Sequence, residues 1–81
     1  MADAKVFITL KEGILDPQGK TLLRALRELG YDEVEDLRVG KYMEVKLTGG
    51  DAGTLESRLG EMCERLLANP IIEDYRMEVD V

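Results

Sequence analysis

Hydrophobic and polar positions alternate over residues 5–11, with Val6, Ile8 and Leu10 on one side and Lys5, Phe7, Thr9 and Lys11 on the other. Period two predicts a strand with one face in a core. Phe7 breaks the polar side, which suits rim packing or a contact with another subunit. After the connector Glu12-Gly13-Ile14-Leu15, Leu22, Leu23, Leu26 and Leu29 recur at helical spacing, opposite Lys20, Arg24, Arg27 and Glu28. Asp16-Pro17 opens this helix: Asp accepts a hydrogen bond from an orphan N–H, and Pro at the first helical position loses no needed donor. Gly30 closes it with a left-handed backbone.

Residues 32–38 alternate poorly, Val34 and Leu37 being out of phase, and are expected as a bulged strand. Arg38-Val39-Gly40-Lys41 then predicts a tight turn, with Gly40 supplying the permissive backbone. Met43, Val45 and Leu47 alternate with Tyr42, Glu44 and Lys46, completing a hairpin. The glycine-rich Thr48–Gly53 stretch is a loop. From about Thr54, the stripe Leu55, Leu59, Met62, Cys63, Leu66 and Leu67 predicts a second helix, which carries Gly60 at a cost of about 1 kcal/mol relative to Ala. Close approach to the sheet is the reading for that glycine. Asn69-Pro70 stops the helix, because a residue before Pro avoids helical backbone. The last strand runs from Ile71 to about Val81, with Ile71, Tyr75, Met77, Val79 and Val81 on the apolar parity and Glu73 as a polar intruder on it.

Strand–helix–strand–strand–helix–strand is the ferredoxin-like βαββαβ order. The expectation is an α+β fold: one domain over residues 1–81, with a four-stranded antiparallel sheet and two helices on one face. The opposite face, with Phe7, Thr9, Tyr42, Glu44 and Lys46, is too mixed for a dry core, and a second subunit is its natural cover.

Composition narrows the chemistry. Eighty-one residues support only a modest core, so oligomerisation is the obvious reinforcement. A net charge of −6 with scattered cations argues against nucleic acid. No apolar run approaches the roughly 20 residues of a membrane span. The Met-Ala-Asp-Ala start is unlike a signal peptide. A single cysteine fits a reducing cytoplasm. The chain has no histidine, which excludes His-based nucleophilic triads and His-ligated metal sites within it.

Each polar motif has a plain mechanical role. Asp16-Pro17-Gln18-Gly19 caps a helix, although a glycine in the first turn invites close approach by a partner. It is not a phosphate loop, having no Lys-Ser/Thr pair. Arg38 and Lys41 form either a solvated turn or a contact for an anion or carboxylate. Cys63 reads as a small core hydrophobe, and Met43, Met62 and Met77 as core filler. Glu73 and Asp74 are adjacent on a strand and point to opposite faces, so they do not converge on one metal ion.

The run Cys63-Glu64-Arg65-Leu66-Leu67-Ala68-Asn69-Pro70-Ile71-Ile72-Glu73-Asp74-Tyr75, together with Leu15-Asp16-Pro17-Gln18-Gly19 and Arg38-Val39-Gly40-Lys41, resembles the PurS subunit family of phosphoribosylformylglycinamidine synthase. The resemblance extends from Lys5 to Asp80, with the segments in the family's order. It implies a small accessory subunit of de novo purine synthesis, assembled with a synthetase subunit, PurL, and a glutaminase subunit, PurQ. The complex converts formylglycinamide ribonucleotide, ATP and glutamine to formylglycinamidine ribonucleotide, ADP, phosphate and glutamate. The resemblance further implies bridging of the two larger subunits, support of ammonia transfer, and homodimers or higher oligomers. No catalytic, cofactor or metal residues are expected in the chain itself; ATP and magnesium belong to the complex. The matching motif positions become expected contacts: Asp16, Gln18 and Gly19; Arg38, Gly40 and Lys41; Asn69, Glu73, Asp74, Tyr75 and Arg76. Two other readings compete. One is an ACT-like regulatory module binding an amino acid beside Gly13. The other is an independent small enzyme, which the missing histidine disfavours.

Overall fold

Alternation in the first segment builds the centre of the molecule. In the computed structural model, which describes residues 2–80, strand β1 spans Ala2–Leu10 and lies between β2 (Gly40–Leu47) and β3 (Glu73–Asp80). Both pairings are antiparallel, with Phe7 opposite Tyr42 on one side and Arg76 on the other. Ala2, Ala4, Val6 and Ile8 are all buried on one face of β1. Helix α2 (Ala52–Met62) covers that face with Leu55 and Leu59, followed one turn on by Cys63. Met43, Val45, Tyr75, Met77 and Val79 pack half-buried around this cluster. Each fully buried Val, Ile or Leu is worth about 1.5–3 kcal/mol, so this small cluster carries most of the fold's apolar stabilisation. Met1 lies outside the described residues, as does Val81, the expected end of the last strand.

The expected fourth strand does not form: residues 32–38 are irregular, and the described sheet has three strands. The reason is where the backbone groups go. The Arg27 guanidinium donates to the Val34 carbonyl from Nε (3.2 Å) and Nη2 (3.0 Å), and to Glu35 O at 3.4 Å. Leu37 N–H bonds the Asp36 side chain at 2.9 Å, and Val39 N–H bonds Asp16 Oδ2 at 2.8 Å. Side chains of the first helix, of its cap and of Asp36 within the segment thus take bonds a ladder would have used. Residues 31–39 form a strap along that helix. With no second strand there is no hairpin: Arg38 and Val39 end the strap, and Gly40 and Lys41 open β2.

Helix α1 (Pro17–Glu28) begins and ends on the predicted residues: Asp16 is its cap, and Gly30 has φ +101°. Its position differs from the expectation of two helices on one sheet face. None of its leucines belongs to the core cluster, and Leu22 and Leu29 are 49% and 74% exposed. The chain measures 50 × 24 × 14 Å with a radius of gyration of 16.1 Å, against about 12 Å for a compact domain of this length. α1 and its strap form an arm beside the sheet.

The second helix also changes character. Residues Cys63–Leu67 form a π turn, closed by Ala68 N–H on Cys63 O at 2.9 Å. Leu55 and Leu59 point inward ahead of this turn and Cys63 at its start, but Leu66 within it is 83% exposed, although it sits in the predicted stripe. Ile71, expected inside the last strand, precedes β3 and is 81% exposed. Gly60 faces the Met77 methyl with room for a Cβ at 3.9 Å, so close approach does not explain it.

Candidate interaction site

Asp16 is the node of the site. Its Oδ1 accepts Gly19 N–H at 3.0 Å, which caps α1, while Oδ2 accepts Val39 N–H from the strap. These bonds, led by Val39, hold the carboxyl below its ordinary value of 3.8, and the nearby charges of Arg38 and Lys20 act in the same direction. Gly19 explains itself here. A Cβ would lie 2.6 Å from Leu37 O and 2.5 Å from Asp16 Oδ2, so the strap passes against the helix's first turn and only glycine fits. The close approach inferred from sequence is made by the chain's own backbone. Gly40 is equally constrained, since a Cβ there would strike the Ile8 carbonyl of β1.

The motifs therefore meet although they are far apart in sequence. A groove of about 300 Å³ is lined by Asp16, Pro17 and Gln18, by Val39, Gly40 and Lys41, and by Glu73, over a floor of Ile8 and Leu10. Glu73 is held from both sides. Its Oε1 accepts Asn69 N–H at 2.7 Å, and Oε2 lies 3.6 Å from Lys41 Nζ. Asn69 also ties the turn through its side-chain oxygen to Ile71 N–H, so its contribution is a rigid entry to β3. Arg38 faces away into a neighbouring concavity of about 460 Å³ with Lys11, Gly13, Lys20 and Asp36.

Asp74, Tyr75 and Arg76 leave the groove. Asp74 pairs with Lys11 at 2.6 Å. Tyr75 donates to Glu64 Oε1 at 2.8 Å across to the π turn, and that bond raises its phenol pKa. Arg76 lies on the opposite sheet face, its guanidinium carbon 4.4 Å above the Phe7 ring; Phe7 in turn meets Tyr42 at 5.2 Å between centroids. Glu73 and Asp74 have different partners, as adjacent strand residues should. Cys63 is fully buried and its thiol pKa is raised by burial, which suits the core role predicted for it. Sequence reasoning missed Leu10, Pro17 and Val39 as groove lining, and Arg27 as the strap's holder. For Arg27 there was no signal beyond a cation in the last helical turn.

Comparison with known proteins decides the family. The profile of the family described as PurS, phosphoribosylformylglycinamidine (FGAM) synthase, matches residues 3–81. A PurS subunit of that synthase from Bacillus subtilis is 50% identical over 80 residues, covering 99% of this chain and 94% of the relative. The chain belongs to the PurS family. PurS is a subunit of FGAM synthase, in the purine biosynthetic pathway. A crystal structure of Bacillus subtilis PurS superposes with a TM-score of 0.88 at 49% identity, over the full length of both chains. A chain of the PurLQS structure from Thermotoga maritima gives 0.86 at 26% identity, over 98% of each. The α+β fold of this chain resembles that of these PurS structures.

Proposed function

We propose that this chain is a non-catalytic PurS-type subunit that bridges a PurL synthetase and a PurQ glutaminase, self-associates through its arm, and supports ammonia transfer between the two larger subunits. In that assembly glutamine supplies the nitrogen, formylglycinamide ribonucleotide accepts it, and ATP is converted to ADP and phosphate. ATP and magnesium sit on the other subunits, and the complex works in the cytoplasm; no helix among the described residues is long and apolar enough to cross a membrane.

The observation that carries this reading is the uncovered arm. A helix with exposed leucines, rooted in a groove built from three separate polar motifs, is an association surface. A small chain whose core is a single helix against a sheet gains stability when that arm is covered. The PurLQS neighbour supports PurL and PurQ as the partners.

The test is reconstitution. Glutamine-dependent turnover by the matching synthetase and glutaminase should require this chain, and light scattering should find it in the complex. Unchanged turnover and complex formation without it would overturn the proposal. The concavity beside Gly13 is where the ACT-like alternative puts an amino acid. Thermal-shift screening with amino acids and nucleotides separates the two readings, because a large shift with one amino acid would favour the alternative.

A further inference from the structure

Arg38 is a motif residue that the groove does not use. It lines instead the concavity of about 460 Å³ between the connector leaving β1, the first turn of α1 and the strap. Lys20 of α1 lines the same concavity. The charges of both depress the Asp16 pKa, which places them around that carboxyl. Asp16 is already committed, since its two oxygens accept the Gly19 and Val39 N–H groups. Among the described residues neither Lys20 nor Arg38 has an ion-pair partner, whereas Lys41, Lys46, Arg58 and Arg76 each have a carboxylate. Lys11, also on the lining, is held by Asp74. Two free cations from separate elements therefore share one hollow. Glu12 and Asp36 line it as well. Asp36 gives Oδ1 to Leu37 N–H, and no donor among the described residues occupies its Oδ2.

We propose that this concavity binds the phosphate monoester of a small polyol, the chemistry of a sugar phosphate: Arg38 and Lys20 hold the phosphoryl oxygens, while Asp36 and Glu12 accept hydrogen bonds from hydroxyl groups. Guanidinium and ammonium donors make their strongest hydrogen bonds to phosphate or carboxylate. Ionised carboxylates are acceptors only, so those beside the cations repel a second anionic group and take hydroxyl donors. The two together select a ligand with one anionic end and an uncharged, hydroxyl-bearing body. The volume lies in the range of about 300–1,000 Å³ usual for small-molecule sites. The proposal stands apart from the bridging role, because binding is read on this chain alone.

The full-length chain is titrated at fixed ionic strength with ribose 5-phosphate, inorganic phosphate and ribose, using calorimetry and amide chemical shifts. Ribose 5-phosphate is expected to bind saturably, with shifts centred on residues 11–20 and 36–38, and more tightly than inorganic phosphate; ribose should not bind. Arg38→Gln and Lys20→Gln should each weaken ribose 5-phosphate about tenfold, as for loss of one charge-assisted hydrogen bond. Both side chains are exposed, so circular dichroism should stay as in wild type. Lys46→Gln, on the far part of β2, should bind as wild type. Asp36→Asn should bind inorganic phosphate at least as well as wild type but lose the preference for ribose 5-phosphate. Equal affinity of the wild type for the two phosphates would overturn the proposal. So would binding that survives both Arg38→Gln and Lys20→Gln, or no saturable binding of ribose 5-phosphate. Shifts in the same amides with an amino acid and none with ribose 5-phosphate would also overturn it, and would give the concavity to the ACT-like alternative.

Discussion

Two carboxylates at helix starts tie their protonation state to folding. Asp16 and Asp51 each accept backbone N–H bonds, from Gly19 and Val39 and from Thr54, and both have lowered pKa values. A depressed folded-state pKa means that the unfolded chain binds protons more readily. The stabilisation is therefore complete above the unfolded value near 3.8 and is lost as pH falls through the lower folded values. Thermal melts should show Asp51→Asn less stable than wild type at neutral pH, with the gap closing in acid well below 3.8. Tyr75 gives a second prediction. Its half-buried ring packs on the core cluster and its hydroxyl reaches Glu64, whereas Asp80 is exposed at the end of β3. Tyr75→Ala should cost about 2 kcal/mol or more in denaturant unfolding, Tyr75→Phe about 1, and Asp80→Ala within about 0.5. At this scale the sequence was readable wherever the signal was local. Asp16-Pro17 and Gly30 act within a turn of themselves, so their roles follow from residue type. The partners of Asp16 Oδ2 and of Arg27 lie across the strap, and no neighbour in sequence announces them.

Elements follow the same division. Strands β1 and β2 and the start of α1 come from periodicity and caps, whereas α2 starts at Ala52, inside the stretch expected as loop, under an Asp51 cap, and the second helix changes pitch at Cys63. A stripe drawn at constant period places Leu59 and Leu66 on one face; Leu59, ahead of the π turn, is buried, and Leu66, inside it, is exposed. Leu59→Ala should therefore destabilise the fold by about 2–5 kcal/mol, and Leu66→Ala by no more than about 0.5, in chemical denaturation of the isolated chain. Comparable losses would mean that the helix keeps a regular pitch. The missing strand has the complementary lesson. Val34 and Leu37 offered weak alternation, and weak alternation loses when a nearby guanidinium and carboxylate satisfy the backbone first.

For the whole molecule the arm is the decisive feature. Its leucines are apolar enough for a core yet lie outside the one this chain builds. Replacing Leu22 and Leu29 together with Asp should leave the circular dichroism of the isolated chain nearly unchanged, while light scattering reports a smaller particle and the partner subunits are no longer recruited. An unchanged particle would place self-association elsewhere. The identity of β1, β2 and the two helices, and the inward face of β1, were determined by the amino-acid order alone, because hydrogen-bond caps and side-chain alternation act over a few residues. The gathering of Asp16, Val39 and Glu73 around one groove, and the separation of α1 from the sheet, were decided only in three dimensions. An apolar helix face specifies that it must be covered, and contacts distant in sequence determine by what.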